Sequence, residues 1–517
     1  MTDSDEVSIQ YKRTGMERRA FLGTILRTGA GAGLGLGAQT DCAAEDSSRK
    51  VGLAGAPGTG RPSKRLRAGA AASKITPAKG VRLDGTIMRI GPVKTVHDDL
   101  YARALMLDDG RTRVAIVICD ATFIEQAVFD EAKELIRKQT GLSPGRVLAA
   151  ATHSHMAVRV LASIARDHAP NRRYHKFLAR QIADAVVRAA RNLAPAKVGW
   201  GVAPMKEFCQ NRRWIMKSGT VGPNPFGQRT DKVTMGGRPA NDRVRPAGPI
   251  DPHLSILSVQ HADGRPLALL GNYAVHYSGM VRGHVSADYF GAFAARVEEL
   301  LGRDDGREPV VAIMSNGTSG DIGAARVDRG SFEGMRKVGH SVAETAMAIY
   351  GKIQHHDRAP LAMAESRITL GVRRPDRKRI AWARLVQAGK WNKPAHHWRD
   401  VYAHNTLELS KYPEAVPLKL QAIRIGELGI AACPCETFAE TGLAIKKHSP
   451  LKPTFTIELA NGFGGYLPPP AQHALGGYTT WPAESSYLEI QAEPKIRAAL
   501  LALLTQVAPD RSQEGTR

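Results

Sequence analysis

Between positions 101 and 354, short apolar runs alternate with longer stretches of helical periodicity, and this alternation restricts the fold more than any other feature of the chain. Residues 101–107, 113–119 and 146–152 read as strands, with a helix over 125–140 between the second and the third. Residues 254–260 and 267–275 read as two more strands, followed by a helix over 289–301, a strand over 309–314 and a helix over 332–354. Such interleaving predicts an α/β fold of sheets layered against helices. Strand signals crowd the C-terminal part, at 418–425, 429–433 and 454–459, so the layered sheets are predicted to be mixed and flanked by helices. No repeat or second linker interrupts the pattern, which predicts one large domain over 67–508, after a Gly- and Pro-rich linker over 45–66 and before a disordered polar tail over 509–517.

The apolar runs end in residues suited to chemistry. Run 147–151 leads into Thr152-His153-Ser154-His155. Side chains two apart on an extended strand share a face, so both imidazoles are predicted to enter one pocket, as metal ligands or as two structurally satisfied histidines. Run 267–275 ends in His276 and is followed by Ser286-Ala287-Asp288-Tyr289 at the opening of a helix. Run 309–314 ends in Ser315-Asn316-Gly317-Thr318-Ser319-Gly320-Asp321, and run 429–433 in Cys433-Pro434-Cys435-Glu436. One such exit is ordinarily structural. Four of the same design predict convergence on a single cleft, because sites in α/β folds gather at strand ends.

Taken in order, these segments resemble the catalytic domain of the neutral/alkaline ceramidase family. The resemblance rests on Ile75-Thr76-Pro77, His97-Asp98-Asp99-Leu100-Tyr101, Ala151-Thr152-His153-Ser154-His155, Asn211-Arg212, Asn272 with His276, Ser286-Ala287-Asp288-Tyr289, Gly320-Asp321, Pro434-Cys435-Glu436 and Asn461 with Tyr466. It implies a zinc ion held by His153, His276, Glu436 and Tyr466. The zinc would lower the pKa of a bound water to about 7 for attack on an amide carbonyl. His155 and Arg212 match residues beside the substrate carbonyl and would stabilise the oxyanion. Asp288, Asp120 and His97 are candidates for orienting ligands or moving a proton, or for purely structural roles, and Asn316 and Asp321 are placed to orient the ligands. Two positions depart from the family. Gly320-Asp321-Ile322-Gly323-Ala324 stands where ceramidases have Gly-Asp-Val-Ser-Pro, and Cys435 replaces the glycine before the ligand glutamate. The residues after Gln506 are also too few for the immunoglobulin-like domain of full ceramidases. The expected activity is therefore hydrolysis of an amide in an N-acyl lipid or amino-sugar compound.

Near the start, Arg18-Arg19-Ala20-Phe21-Leu22 and the weakly apolar, Gly-rich stretch to Ala38 resemble a twin-arginine export signal, which places a leader over 1–44 and the mature protein in the periplasm or outside the cell. Cys119, Cys209, Cys433 and Cys435 are too few for a disulfide scaffold and read first as buried thiols. The net charge of +23 suggests an acidic partner. No nucleic-acid-binding motif accompanies it, so the expected contact is a peripheral one with an anionic membrane or glycan surface, through the basic stretch 373–400 and its Trp382, Trp391 and Trp398. Two alternatives compete. One is a non-catalytic protein of the same fold that binds an anionic lipid or glycan, and the other an amidohydrolase barrel, which also uses a His-x-His pair.

Overall fold

Eight strands form the larger of two principal sheets: β1 (Arg67–Lys74), β2 (Tyr101–Asp108), β3 (Arg113–Cys119), β4 (Val147–Ala151), β5 (Ala194–Pro204), β6 (His253–His261), β7 (Pro266–Tyr273) and β8 (Val311–Asn316). Their order is β8-β7-β6-β5-β1-β2-β3-β4. The structure is a computed structural model that describes residues 65–83, 90–162, 168–302, 309–391 and 397–510, all in the unit Ser63–Arg517. The expected leader, nearly all of the expected linker and the end of the expected tail lie outside these residues. A second sheet runs in the order β9 (Leu361–Gly371), β10 (Ala415–Ile425), β11 (Leu428–Ala432) and β12 (Thr454–Ile457). Most neighbours are antiparallel. The exceptions are β3–β4, β7–β8 and β11–β12, which run parallel and are joined through α1 (Gln126–Thr140), α3 (Asp288–Leu300) and α5 (Ala439–His448) respectively. The sheets are thus mixed and layered, as the strand pattern implies, and the described residues contain no closed parallel barrel.

Alternating side chains explain why the central strands are apolar throughout. On β3, Val114, Ile116 and Ile118 meet Ile423, Ile425, Phe455 and Ile457 of the second sheet. Ala115, Val117 and Cys119 face the other way, onto Phe129 of α1 and Leu178 and Ile182 of α2 (Ala169–Arg191). The other end of the large sheet is covered by α3 and α4 (Phe332–Tyr350), with Phe293 and Val342 in its core. The outer face of the small sheet is covered by α5 and α6 (Ala492–Val507). Four layers result, helices outside and two sheets within, each fully buried Leu, Ile, Val or Phe contributing about 1.5–3 kcal/mol.

β1 has no β-branched or aromatic residue, and in both β1 and β5 a glycine stands where neighbouring backbone comes too close for a side chain. A Cβ on Gly69 of β1 would stand 2.2 Å from the carbonyl oxygen of Ala189, near the end of α2. A Cβ on Gly199 of β5 would stand 2.4 Å from the carbonyl oxygen of Gln354. Ala and Gly are the residues that such contact permits. Edge strand β4 is closed by the segment after β12: Ala151 N donates to Leu459 O at 3.2 Å and Asn461 N to Ala149 O at 2.7 Å. The fully buried Lys133 of α1 donates to Asn461 Oδ1 at 2.5 Å, and Asn461 Nδ2 donates to Gln421 Oε1 at 2.8 Å. One asparagine therefore joins both sheets and α1.

All four described cysteines are free and buried. In the basic stretch, Arg377, Lys378, Arg384 and Lys390 are exposed, but Trp382 is half-buried against Phe226 and Trp391. Its ring packs a helix onto the 214–252 insert. No helix among the described residues is long and apolar enough to cross a membrane.

Gly69→Val should lower stability by about 1–3 kcal/mol, since the obstructing atoms are backbone and cannot rotate away. Gly145→Ala, where an added Cβ meets nothing within 4 Å, should leave it unchanged. Denaturant unfolding of the two variants checks this; equal midpoints would mean that α2 can shift off β1.

Candidate metal centre

The three parallel crossovers send the C-terminal ends of their strands to one rim, and the chemistry-bearing residues lie there. β4 ends at Ala151, and His153 follows in a left-handed turn with φ 77°, a conformation uncommon for a residue with a side chain. The turn is pinned to the exit of β3: Thr152 N donates to Cys119 O and His153 N to Ala121 O, both at 2.9 Å, and Thr122 Oγ1 to Ser154 O, also at 2.9 Å. His153 and His155 do enter one pocket. The turn brings them there, not the alternation of an extended strand. His276 arrives from the end of β7, Glu436 from the segment after β11, and Tyr466 from a strand pair in which Glu436 and Tyr466 are register partners.

The ring nitrogens meet at short range. His153 Nε2 lies 3.0 Å from His276 Nε2, 3.3 Å from His155 Nε2 and 3.3 Å from Glu436 Oε2, with His276 Nε2 at 3.9 Å from that oxygen. Carbonyl oxygens fix the tautomers. His153 Nδ1 lies 2.7 Å from Thr122 O and His276 Nδ1 3.2 Å from Ser319 O, and a carbonyl can only accept, so each Nδ1 carries the proton. Each Nε2 then offers a lone pair to the centre. His155 and His276 are held well below the ordinary 6.5, first by burial and then by their charged and titratable neighbours, the Arg212 guanidinium among them, so both are neutral. Glu436 Oε2 is buried without a hydrogen-bond partner, and Tyr466 faces the same carboxylate. Lone pairs crowded in a dry pocket repel one another unless a cation lies between them, and His153, His155 and His276 could together hold a metal ion.

Around this centre the remaining site candidates divide. Arg212 Nη2 donates to Tyr466 Oη at 3.0 Å and to Gly320 O at 2.7 Å, while its buried Nε has no partner. Asp321 holds that strand, accepting from Asn211 Nδ2 at 2.7 Å and Ala439 N at 2.8 Å. Asn316 is fully buried at the end of β8, and neither polar atom of its side chain has a partner. Asp288, itself at φ 58°, accepts from the Ser278 hydroxyl and from Ser278 N at 3.1 Å, and so fixes the chain just beyond His276. Asp120 is spent on a buried ion pair with Arg103 at 2.6 Å and on Tyr101 N at 2.9 Å. His97 is exposed and stacks on Phe332 at 3.6 Å.

Three residues at the centre were not expected from the sequence. Glu458, fully buried, accepts from Ser319 Oγ at 2.6 Å through Oε1 and from Ser319 N at 3.2 Å and Thr437 N at 2.9 Å through Oε2. It thereby fixes both the carbonyl that orients His276 and the residue next to Glu436. Burial pushes its pKa well up, and Glu436 adds to this. Its signal was a lone carboxylate closing an apolar run, the same design as the other exits. Tyr277 lies flat against His155, ring centroids 3.6 Å apart and planes at 19°. Tyr478 packs beside Tyr466 at 5.8 Å. Neither tyrosine carries a sequence signal of its own. Position 323, where the expected serine is missing, has room for one, since an added Cβ would stand 3.4 Å from Arg212 Cβ.

The description of the neutral/alkaline non-lysosomal ceramidase family, N-terminal part, matches residues 69–328. Among solved structures the chain is similar to neutral ceramidase from Pseudomonas aeruginosa, with 18% identity, a TM-score of 0.63, and 86% of this chain and 76% of that chain covered. A ceramidase complexed with C2 gives 16% identity and a TM-score of 0.64 over 86% and 77% of the two chains. At such identities the likeness is one of fold. The matched stretch contains the three histidines and Arg212; Glu436 and Tyr466 lie beyond it.

Glu458→Leu removes the acceptor of the Ser319 hydroxyl and of the Ser319 and Thr437 backbone N–H groups. Metal affinity, read by competition with a chromogenic chelator, should fall about 10–100-fold while folding persists. Unchanged affinity would mean that Ser319 and Thr437 hold their places without it.

Proposed function

The chain belongs to the neutral/alkaline non-lysosomal ceramidase family, and from that premise we propose that it is a zinc-dependent hydrolase of an amide bond in an N-acyl compound, a lipid or an amino sugar. The observation that carries this reading is the meeting of His153 Nε2, His276 Nε2 and Glu436 Oε2 within 3.0–3.9 Å, each nitrogen a lone-pair donor whose partner nitrogen is tied to a carbonyl. His153, His276, Glu436 and Tyr466 would hold the zinc, a set of nitrogen and oxygen donors suited to that ion. Zinc in such a site polarises a carbonyl and lowers the pKa of a bound water to about 7.

The chain's own residues do the rest. Arg212, fixed by Gly320 O and Tyr466 Oη, brings a permanent positive charge to the place where a carbonyl oxygen turns negative. His155 is a neutral imidazole clamped by Tyr277, with one N–H to give to that oxygen and one lone pair to take a proton. Asp288 and Glu458 keep the segments after His276 and Glu436 from drifting. Water is kept out by the packing itself: His153 and His276 are fully buried, and His155, Glu436 and Tyr466 are at most 4% exposed.

A second reading draws on Gly323. Without the serine, the protein would bind an anionic lipid or glycan through its basic face and hydrolyse nothing. Elemental analysis of purified protein, together with Glu436→Ala, separates the two. Under the first reading the protein holds about one zinc per chain, and the variant loses turnover of N-acyl substrates; under the second, neither holds and ligand binding is untouched. Turnover of esters alone would contradict the amidase assignment.

We also place the mature protein in the periplasm or outside the cell, on the strength of Arg18-Arg19 and the weakly apolar stretch that follows. Replacing both arginines by lysine should retain the protein in the cytoplasm on cell fractionation. Export that survives the change would argue for a different route.

A further inference from the structure

We propose that Arg329 anchors an anionic group of the substrate, so that the site selects N-acyl compounds carrying a carboxylate or phosphate a short spacer from the scissile amide. This rests on the hydrolase reading above and adds the substrate class to it. The guanidinium carbon of Arg329 lies 4.6 Å over the ring of Tyr277, and Tyr277 lies 3.6 Å over the ring of His155. The charge therefore stands two stacked layers out from a histidine whose Nε2 is 3.3 Å from His153 Nε2. A guanidinium held over an aromatic ring by cation–π attraction still has N–H groups to offer as two parallel bonds to a carboxylate or phosphate.

The backbone holds Arg329 in place. Met280 N donates to Arg329 O at 2.9 Å, joining the turn to the segment that follows His276. Gly330 N donates to Asp328 Oδ1 at 3.0 Å, and Ser331, two residues on, caps α4 by accepting from Gly334 N at 3.0 Å. Asp328 thus spends a carboxylate oxygen on the turn, and Arg329 has no ion pair among the described residues. It is exposed at the outer end of the stack, while Arg212 lies within. A cleft with two arginines on the histidine's side draws in anions. Neutral amides have no use for the outer one.

The test uses three substrates with one acyl chain: N-dodecanoylglycine, N-dodecanoylethanolamine and N-dodecanoylphosphoethanolamine. The zinc-loaded full chain should prefer an anionic substrate to the neutral one by about tenfold or more in kcat/KM. Arg329→Ala should erase that preference by raising KM for the anionic substrates alone, and Arg329→Glu should invert it. A stronger preference for the phosphate supports the anchor and names phosphate as its partner. Equal use of all three by the wild type, or an equal loss on all three in Arg329→Ala, would overturn it. If nothing is cleaved, the hydrolase reading fails, yet calorimetry still decides the anchor: N-dodecanoylglycine must bind more tightly than the ethanolamide, and Arg329→Glu must abolish the difference.

Discussion

Everything at the centre depends on two imidazoles being turned so that their lone pairs meet. That orientation is not a property of the histidines. It is imposed from outside by Thr122 O and Ser319 O, which take the Nδ1 protons of His153 and His276 at 2.7 and 3.2 Å. Those carbonyls belong to the exits of β3 and β8, the partners of β4 and β7 in the two parallel crossovers of the large sheet. A parallel crossover delivers two strand ends to one edge, so one strand supplies a histidine and its neighbour the carbonyl that orients it. An antiparallel pair could not do this, because its strand ends lie at opposite edges. The small sheet repeats the device with β11 and β12, whose exits supply Glu436 and Glu458.

The sequence made the exits visible and hid much of what surrounds them. His153, His276 and Glu436 stand out because each closes an apolar run, and a polar residue there has no reason in core packing. Tyr466 follows no such run and was found only by resemblance. β1 left little trace, since a strand's usual mark is its β-branched residues and this one, all small side chains at its centre, meets the backbone of α2 at a distance where Gly69 admits no side chain, while β5 is interrupted by Gly199, which meets the backbone of Gln354. The geometry of His153 was also out of reach. Period-two alternation predicts that it shares a face with His155, and it does meet His155, but through a residue at φ 77° held by Ala121 O. Nothing local in Thr152-His153-Ser154 specifies that turn. The neighbouring strand does.

Glycine at 323 departs from the family without disturbing the frame around the centre. A serine there would meet Arg212 Cβ at ordinary contact distance, so no steric demand explains the glycine. What its absence changes is chemical: one hydroxyl fewer beside the guanidinium that touches Tyr466 Oη. The residues that hold the histidines, Glu458 and Asp288 among them, bond to other segments and do not touch position 323.

The charge of the chain acquires a local meaning at the same place. A net charge of +23 spread over a surface argues only for acidic company. Salt screens such a field within about 8–10 Å. Arg212 is screened less because it is half-buried, and the ring of Tyr277 lies against the guanidinium of Arg329. Tyr277 is therefore shared, fixing the plane of His155 on one side and the plane of Arg329 on the other. Moving that ring would disturb His155 and the outer charge together, so under the proposed function chemistry and recognition would be coupled through one side chain.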